Sequence, residues 1–252
     1  DTVRIISLGW GVQSFTLAAM VATGELQPVD VALHADTTHE FSGTYKFAKK
    51  WTPWLENRGV RVVTIFNPRP NALDNGWGWV DMPAFSISQD GHIGQSQRQC
   101  TTQWKILPMR RWEQSNRNGK PVEQWIGVSL DEFQRMKDSN VKYITHRWPL
   151  IEKKMTRADC VKWLEAHNLE IPPRSACVFC PFHNTAEWRK IKASKPDWEE
   201  AVRVDNAIRN VQDRCLFIHP SRKPLIEVDF RTAEEKGQMS LWDEECSGIC
   251  GV

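Results

Sequence analysis

The feature that most constrains this chain is its opening. Val3-Arg-Ile-Ile-Ser7 is a β-branched run, the turn Gly9-Trp-Gly11 follows, and Ser14-Phe-Thr-Leu-Ala-Ala-Met-Val-Ala22 has the composition of a helix. A strand that turns through glycines into a helix must lay that helix back on a sheet. The continuation agrees: Val29-Asp-Val-Ala-Leu-His-Ala35 predicts a second strand, residues 44–58 an amphipathic helix, and Val60-Arg-Val-Val-Thr-Ile65 a third strand. Strands alternating with helices imply parallel, right-handed βαβ units with both sheet faces covered. The expected fold is therefore α/β, a doubly wound, mostly parallel sheet, followed by a mainly helical C-terminal subdomain. Residues 107–115 read as a further helix, Gln124-Trp-Ile-Gly-Val128 as a further strand, and 157–167 and 186–195 as the clearest late helices. The expected domains are 1–150 for the α/β part, with a long loop or lid at 67–97, then a cysteine-containing helical subdomain at 151–240 and a flexible tail at 241–252.

Composition narrows the function. The 252 residues carry 33 Lys+Arg against 31 Asp+Glu, a net charge of +2, which excludes a chain that coats itself with nucleic acid and leaves only local contacts. No run approaches the roughly 18 apolar residues of a membrane span, and Asp1-Thr-Val-Arg-Ile-Ile6 lacks the plan of a secretory signal, so a cytoplasmic location without membrane contact is expected. The 7 cysteines are an odd number, and two form Cys177-Val-Phe-Cys180; in a reducing compartment that spacing points to metal or redox chemistry. Most of the 13 tryptophans are assigned to packing.

The first loop is a candidate phosphate cradle. Ser7, Gly9, Trp10, Gly11, Val12, Gln13 and Ser14 lie between strand and helix, where glycines let backbone N–H groups turn inward and the helix N-terminus adds partial positive charge. An ordinary tight turn has the same local pattern. The second strand adds Asp36, Thr37 and Thr38 at its carboxyl end, the edge where open α/β sheets bind ligands.

Four segments together carry a resemblance. Gly9-Trp-Gly-Val-Gln-Ser14 resembles the PP-loop in the variant used by phosphoadenosine phosphosulfate (PAPS) reductases. Asp36-Thr-Thr-His-Glu40 with Thr44-Tyr45, Arg98-Gln-Cys-Thr-Thr-Gln-Trp-Lys-Ile-Leu-Pro108 and Gly127-Val-Ser-Leu-Asp-Glu-Phe-Gln-Arg135 resemble that family's later motifs, in order, across residues 3–182. The resemblance implies an adenine nucleotide α-hydrolase-like fold and a PP-loop ATP pyrophosphatase or sulfurtransferase. Within the family it is closest in character to the iron–sulfur ATP-pyrophosphatases of DNA phosphorothioation. Such an enzyme cleaves ATP to AMP and pyrophosphate with Mg²⁺, adenylating a substrate oxygen before sulfur enters, beside a cysteine desulfurase and with DNA or RNA as acceptor. The alternative is a PAPS or adenosine phosphosulfate (APS) reductase that releases sulfite with thioredoxin. A catalytically silent nucleotide-binding partner is a third reading, because Gln13 replaces the acidic residue of many ATP-using PP-loops. Ser129 in place of an arginine, and Thr101 in place of the second cysteine of a Cys-Cys pair, favour the ATP reading.

For metal, Cys177 and Cys180 form a two-thiolate chelate, and Cys100 lies in a segment resembling a cluster-ligand position. Cys160, on a short helix leading into that turn, is the fourth choice, although a small buried core residue fits it equally. Four thiolates suit a 4Fe-4S cluster, which the resemblance favours, or zinc. Cys246, in Glu245-Cys-Ser-Gly-Ile-Cys-Gly251, resembles the nucleophilic tail cysteine of sulfonucleotide reductases, and spare thiols read the same way. Cys215, in an apolar run, is expected in the core. Lys105, Arg135 and Asp36 are the candidate catalytic residues with Cys246, and Arg157 is a further phosphate candidate. His39 and His183, and the basic clusters at 110–111, 153–154 and 189–192, are compatible with function but equally with structural or solvated roles.

Overall fold

The computed structural model describes residues 1–67, 80–211, 213–232 and 235. In chain order the elements are β1 (Val3–Ser7), α1 (Val12–Ala22), β2 (Val31–Asp36), α2 (Ser42–Glu56), β3 (Val62–Phe66), β4 (Phe85–Ser88), β5 (Ile93–Gln95), a π-helical segment (Thr101–Ile106) running into α3 (Leu107–Asn116), β6 (Val122–Ile126), β7 (Ile144–Arg147), α4 (Pro149–Glu152), α5 (Arg157–Ala166), α6 (Thr185–Ala193), α7 (Lys195–Ile208) and β8 (Arg214–Phe217). They divide into two compact units, one of residues 1–70 and 100–177, the other of 71–99 and 178–252.

The first unit is a five-stranded parallel sheet in the order β3-β2-β1-β6-β7. Ile5 of β1 is paired with Val31 on one side and Gln124 on the other, so β1 is central. Its Ile5 and Ile6 face opposite sides and both are fully buried, as expected of a strand covered on both faces. On one face α1, α2 and α5 enclose Phe15, Leu17, Phe47, Trp51, Trp125, Cys160 and Leu164. Eight of the 11 residues of α1 are buried, because it lies between the sheet and other helices. On the other face Met109 of α3, with Trp112 beside it, covers Ile5, Val31, Leu33 and Val122. The chain leaves β1 toward β2 and β3, then returns on the other side of β1 to form β6. The carboxyl ends of β1 and β6 therefore flank a topological switch point, the place where doubly wound sheets open a ligand crevice.

In the second unit β5, β4 and β8 form an antiparallel sheet with α6 and α7. Asp205 of α7, 1 % exposed, accepts from the backbone N–H groups of Ile218 and Leu225 at 3.1 and 2.9 Å and pairs with Arg209, tying strand and turn to the helix. Two sequence expectations change here. The helix carrying Cys160 packs on α1 in the first unit, which runs on to Cys177 rather than ending near 150. Cys215 is exposed on β8, because burial in this strand falls on Leu216 and Phe217. Among the described residues no helix is long and apolar enough to cross a membrane.

Candidate functional site

The carboxyl edge of the parallel sheet brings three loops together. After β1 the backbone turns at Trp10, whose φ of 55° is a left-handed value costly for a bulky side chain. The indole is 1 % exposed and packs 6.3 Å from the rings of Phe15, Phe47 and His34. Trp10 is therefore a plug driven into the core, and its burial holds the strained turn in place. Gly9 N–H donates to Ser14 Oγ at 3.1 Å, and that hydroxyl donates to the Gly11 carbonyl at 3.2 Å, so Ser14 braces the loop from within. The N-cap of α1 is Gly11, which has no side chain to close the helix end, so the positive end of the helix dipole is placed to favour an anion.

Not every expected cradle residue faces the ligand. Val12 is 3 % exposed and belongs to the core, and Ser7 Oγ donates to Met109 Sδ at 3.8 Å, on the α3 side of the sheet. Gln13 Nε2 donates to Glu132 Oε2 at 3.1 Å and reaches Ser129 Oγ at 3.4 Å, while Glu132 pairs with Arg135 at 2.8 Å. Gln13 thus links the first loop to the segment after β6. Arg135, with 57 % of its side chain exposed, is held by that pair rather than free to swing. Arg157 is exposed, and its backbone N–H donates to Asp131 at 2.9 Å.

Gly127, just beyond β6, is the tightest point. A Cβ there would lie 2.8 Å from Ser14 N and 2.9 Å from Ser14 Cα, against backbone that cannot swing aside. Gly9 and Gly11 are under no such pressure, since a Cβ at either meets its nearest neighbour at 3.8 Å. The glycine that lets the loops meet is thus the one after β6.

After β2, Asp36 Oδ1 accepts from Thr38 N–H at 2.7 Å and from the Tyr45 hydroxyl at 2.8 Å. Thr38 has φ 62°, a second left-handed residue at the edge. Burial first, and then the bond to Asp36, raise the Tyr45 phenol well above its ordinary range, so it remains a donor. His34, 5 % exposed, sits behind both loops with Nδ1 2.9 Å from the Leu8 carbonyl. Burial lowers its pKa against the opposing pull of that carbonyl, Glu40 and Asp36. A neutral imidazole can meet a carbonyl at Nδ1 only as a donor, so His34 fixes the backbone where the first loop begins.

The thiols approach from two directions. Cys100 starts the π-helical segment, and Lys105 follows five residues later. A π turn bonds residues five apart, so it brings Cys100 and Lys105 nearer to one side than an α-helix would, and the thiol acts on the Lys105 charge. Lys105 Nζ lies 3.2 Å from Glu40 Oε1. Burial alone would pull its pKa down; Glu40 and the nearby Cys177 and Cys100 outweigh that and raise it. Cys177 forms an antiparallel bridge with Glu40, and its Sγ lies 3.3 Å from Thr37 Oγ1. Cys160, by contrast, is fully buried in the core beside Thr16, and burial raises its thiol to about 11, the setting of a protonated packing residue. His183, 7 % exposed, lies 3.4 Å from Glu187 and against Trp188, a satisfied position inside the second unit. Among the described residues no three His, Cys, Asp or Glu side chains are arranged to hold a metal ion. Cys246 and the tail at 241–252 lie outside the described residues.

Glu40, His34, Ser175 and the steric role of Gly127 escaped sequence reasoning. Glu40 and Gly127 lie inside the Asp36–Glu40 and Gly127–Arg135 motifs, and an acidic residue four past Asp36 is the signal that the sequence offers.

No protein-family profile matches the chain, and no curated protein matches it. Among solved structures it is similar to the phosphoadenylyl-sulfate (PAPS) reductase from Candida auris in its phosphate complex, at 13 % identity and TM-score 0.47, over 68 % of this chain and 76 % of that one. It is also similar to the U34-tRNA thiolase NcsA from Methanococcus maripaludis with its [4Fe-4S] cluster, at 12 % identity and TM-score 0.44, over 83 % of this chain and 72 % of that one.

Proposed function

We propose that the chain is a nucleotide-activating enzyme of sulfur chemistry, which cleaves ATP at the α-phosphate. The observation that carries this reading is the meeting of three loops at the switch point: the uncapped N-terminus of α1 with its Ser14-braced turn, the Asp36 loop, and Gly127 pressed against Ser14. Backbone N–H groups of the first loop would hold the phosphates. Lys105 supplies a fixed positive charge at the same edge.

In the proposed reaction a substrate oxygen attacks the α-phosphorus, the bond to the bridging oxygen breaks, and pyrophosphate leaves with the electron pair. The adenylated substrate is then attacked by a sulfur nucleophile, and AMP departs. Asp36 is the carboxylate that would hold Mg²⁺, because both of its hydrogen bonds fall on Oδ1 and Oδ2 remains a donor atom. The resemblance implies an iron–sulfur cluster, with zinc as the structural alternative; within the first unit Cys100 and Cys177 are the thiols whose soft donor chemistry would suit either metal, and a cluster would need further ligands beyond this pair. A DNA or RNA acceptor and a cysteine desulfurase complete this reading; Cys246 attack on a sulfonucleotide, with thioredoxin, is the competing one.

The test sets ATP and PAPS side by side with the full chain. AMP and pyrophosphate from ATP are expected. Thioredoxin-dependent sulfite from PAPS, with ATP untouched, would replace this reading by the reductase, and binding of neither nucleotide would remove both.

A further inference from the structure

Residues 173–177 form a strap across the sheet edge within the first unit. A Cβ on Gly11 would touch Ser175 Cβ, and one on Gly43 would touch Pro173, both at 3.8 Å. Phe41 N–H donates to the Ala176 carbonyl at 3.2 Å, and Cys177 bridges Glu40. The strap therefore runs over both the phosphate-loop candidate and the start of α2.

One side chain joins this strap to the π-helical segment. Glu40 is 4 % exposed, and its two oxygens are divided: Oε1 meets Lys105 Nζ at 3.2 Å, and Oε2 accepts from Ser175 Oγ at 2.9 Å. A buried carboxylate is costly unless its oxygens are hydrogen-bonded, and each of these two bonds fixes the group at its other end. Lys105 is long and flexible, and loses its defined place without that anchor.

We propose that Glu40 is a positioning residue: it clamps Lys105 and the Ser175–Cys177 strap to the end of β2, so that the ammonium stands at a fixed point beside the phosphate loop and the Cys177 thiol. This rests on the nucleotide-activating reading for its catalytic consequence, and on geometry alone for the clamp itself. Glu40 touches no substrate in this scheme; it acts through Lys105.

The experiment has two arms on the full chain. In the first, without nucleotide, mass spectrometry follows acylation of Lys105 by an amine reagent. Glu40→Gln is expected to raise the rate about tenfold, the equivalent of one weakened charge-assisted bond. An unchanged rate overturns the clamp. In the second, AMP formation from ATP is measured for Glu40→Ala, Lys105→Ala and the double variant. Glu40→Ala is expected to lower kcat about 100-fold, the scale of a displaced catalytic group, and Glu40→Gln about tenfold, since it keeps an acceptor and loses the charge. In the Lys105→Ala background either change should cost less than about threefold, because its means of action is already gone. Full additivity means that Glu40 serves the fold generally, and it overturns the proposal. Should Glu40→Ala fail to fold, the cycle is read with Glu40→Gln. A wild type that binds ATP and PAPS no better than a control protein sinks the functional reading and the catalytic half of this proposal, while the acylation arm still decides the clamp.

Discussion

Two buried glutamates in the same unit have opposite surroundings. Glu40, 4 % exposed at the carboxyl edge, has a partner on each oxygen. Glu113, 1 % exposed on α3, has none on either oxygen among the described residues, and burial raises its pKa to about 7. It lies one turn from Met109, on the helix face that covers the sheet. At the edge each carboxylate oxygen is given a partner; beneath α3 burial favours the protonated form of a carboxyl that lacks one. Strain follows the same division. Asn118, Lys154 and Asn168 take left-handed conformations just past helix ends, an ordinary place for them, whereas Trp10 and Thr38 do so inside the two site loops.

The largest effect should come from breaking the edge where its loops touch. Gly127→Ala puts a methyl group 2.8 Å from Ser14 N, so α1 and the segment after β6 must part. ATP affinity should fall about 10–100-fold, with a stability loss of about 1–3 kcal/mol. Gly11→Ala, whose Cβ would have its nearest neighbour at 3.8 Å, should keep wild-type stability. Titration calorimetry and urea unfolding on both variants decide this. Equal behaviour of the two would mean that the close approach has no role.

The core side is probed by pH. Glu113 has its pKa raised in the folded state from 4.5 to about 7, so between those values the native protein holds a proton that the unfolded chain releases. Stability is accordingly full below about 4.5, falls as pH rises to 7, and levels beyond, with a loss on the order of 3 kcal/mol. Glu113→Gln should resemble wild type at pH 4.5 and exceed it at pH 8. Urea midpoints at the two pH values measure the difference; a variant that loses as much as wild type would give the decline another source.

Much of the fold was legible because it depends on periodicity. Val3–Ser7 was read to the residue, and α1, β2, α2 and β3 to within about two residues at each end, since apolar spacing records which face is buried. β7 left no such record: of Ile144, Thr145, His146 and Arg147 only the isoleucine is buried. The strands β4 and β5 lay inside a segment whose Asn, Pro, Gly and Ser content looks like loop. The motif loops were legible as places on the chain, but their contacts were not. That Gly127 meets Ser14, that Glu40 meets Ser175, and that Cys160 lies beside Thr16 are facts of the folded sheet, and chain order is a poor guide to them. The helix of Cys160 precedes Cys177 in sequence, which suggests a shared site, yet that helix packs on α1 and its thiol is buried in the core.

The smallest effect tests whether strain at the edge is used. Thr38 is β-branched at φ 62°, with its N–H donated to Asp36 at 2.7 Å and its hydroxyl to the Thr37 carbonyl at 2.7 Å. Such a residue costs about 1–3 kcal/mol, and glycine would remove that cost while loosening the unfolded chain by about 0.5–1 kcal/mol. Thr38→Gly should therefore be more stable by up to about 1 kcal/mol, a rise in Tm of about 2–4 °C for a chain of this size. The same substitution lets the Asp36 loop leave its single conformation, so turnover of ATP should fall by up to about tenfold as stability rises. Thermal unfolding and the AMP assay on one preparation separate the outcomes. If Thr38→Gly loses stability, the bond from the threonine hydroxyl to the Thr37 carbonyl outweighs the backbone cost, and the left-handed turn at the edge is no strain reservoir but the relaxed state of a well-bonded loop.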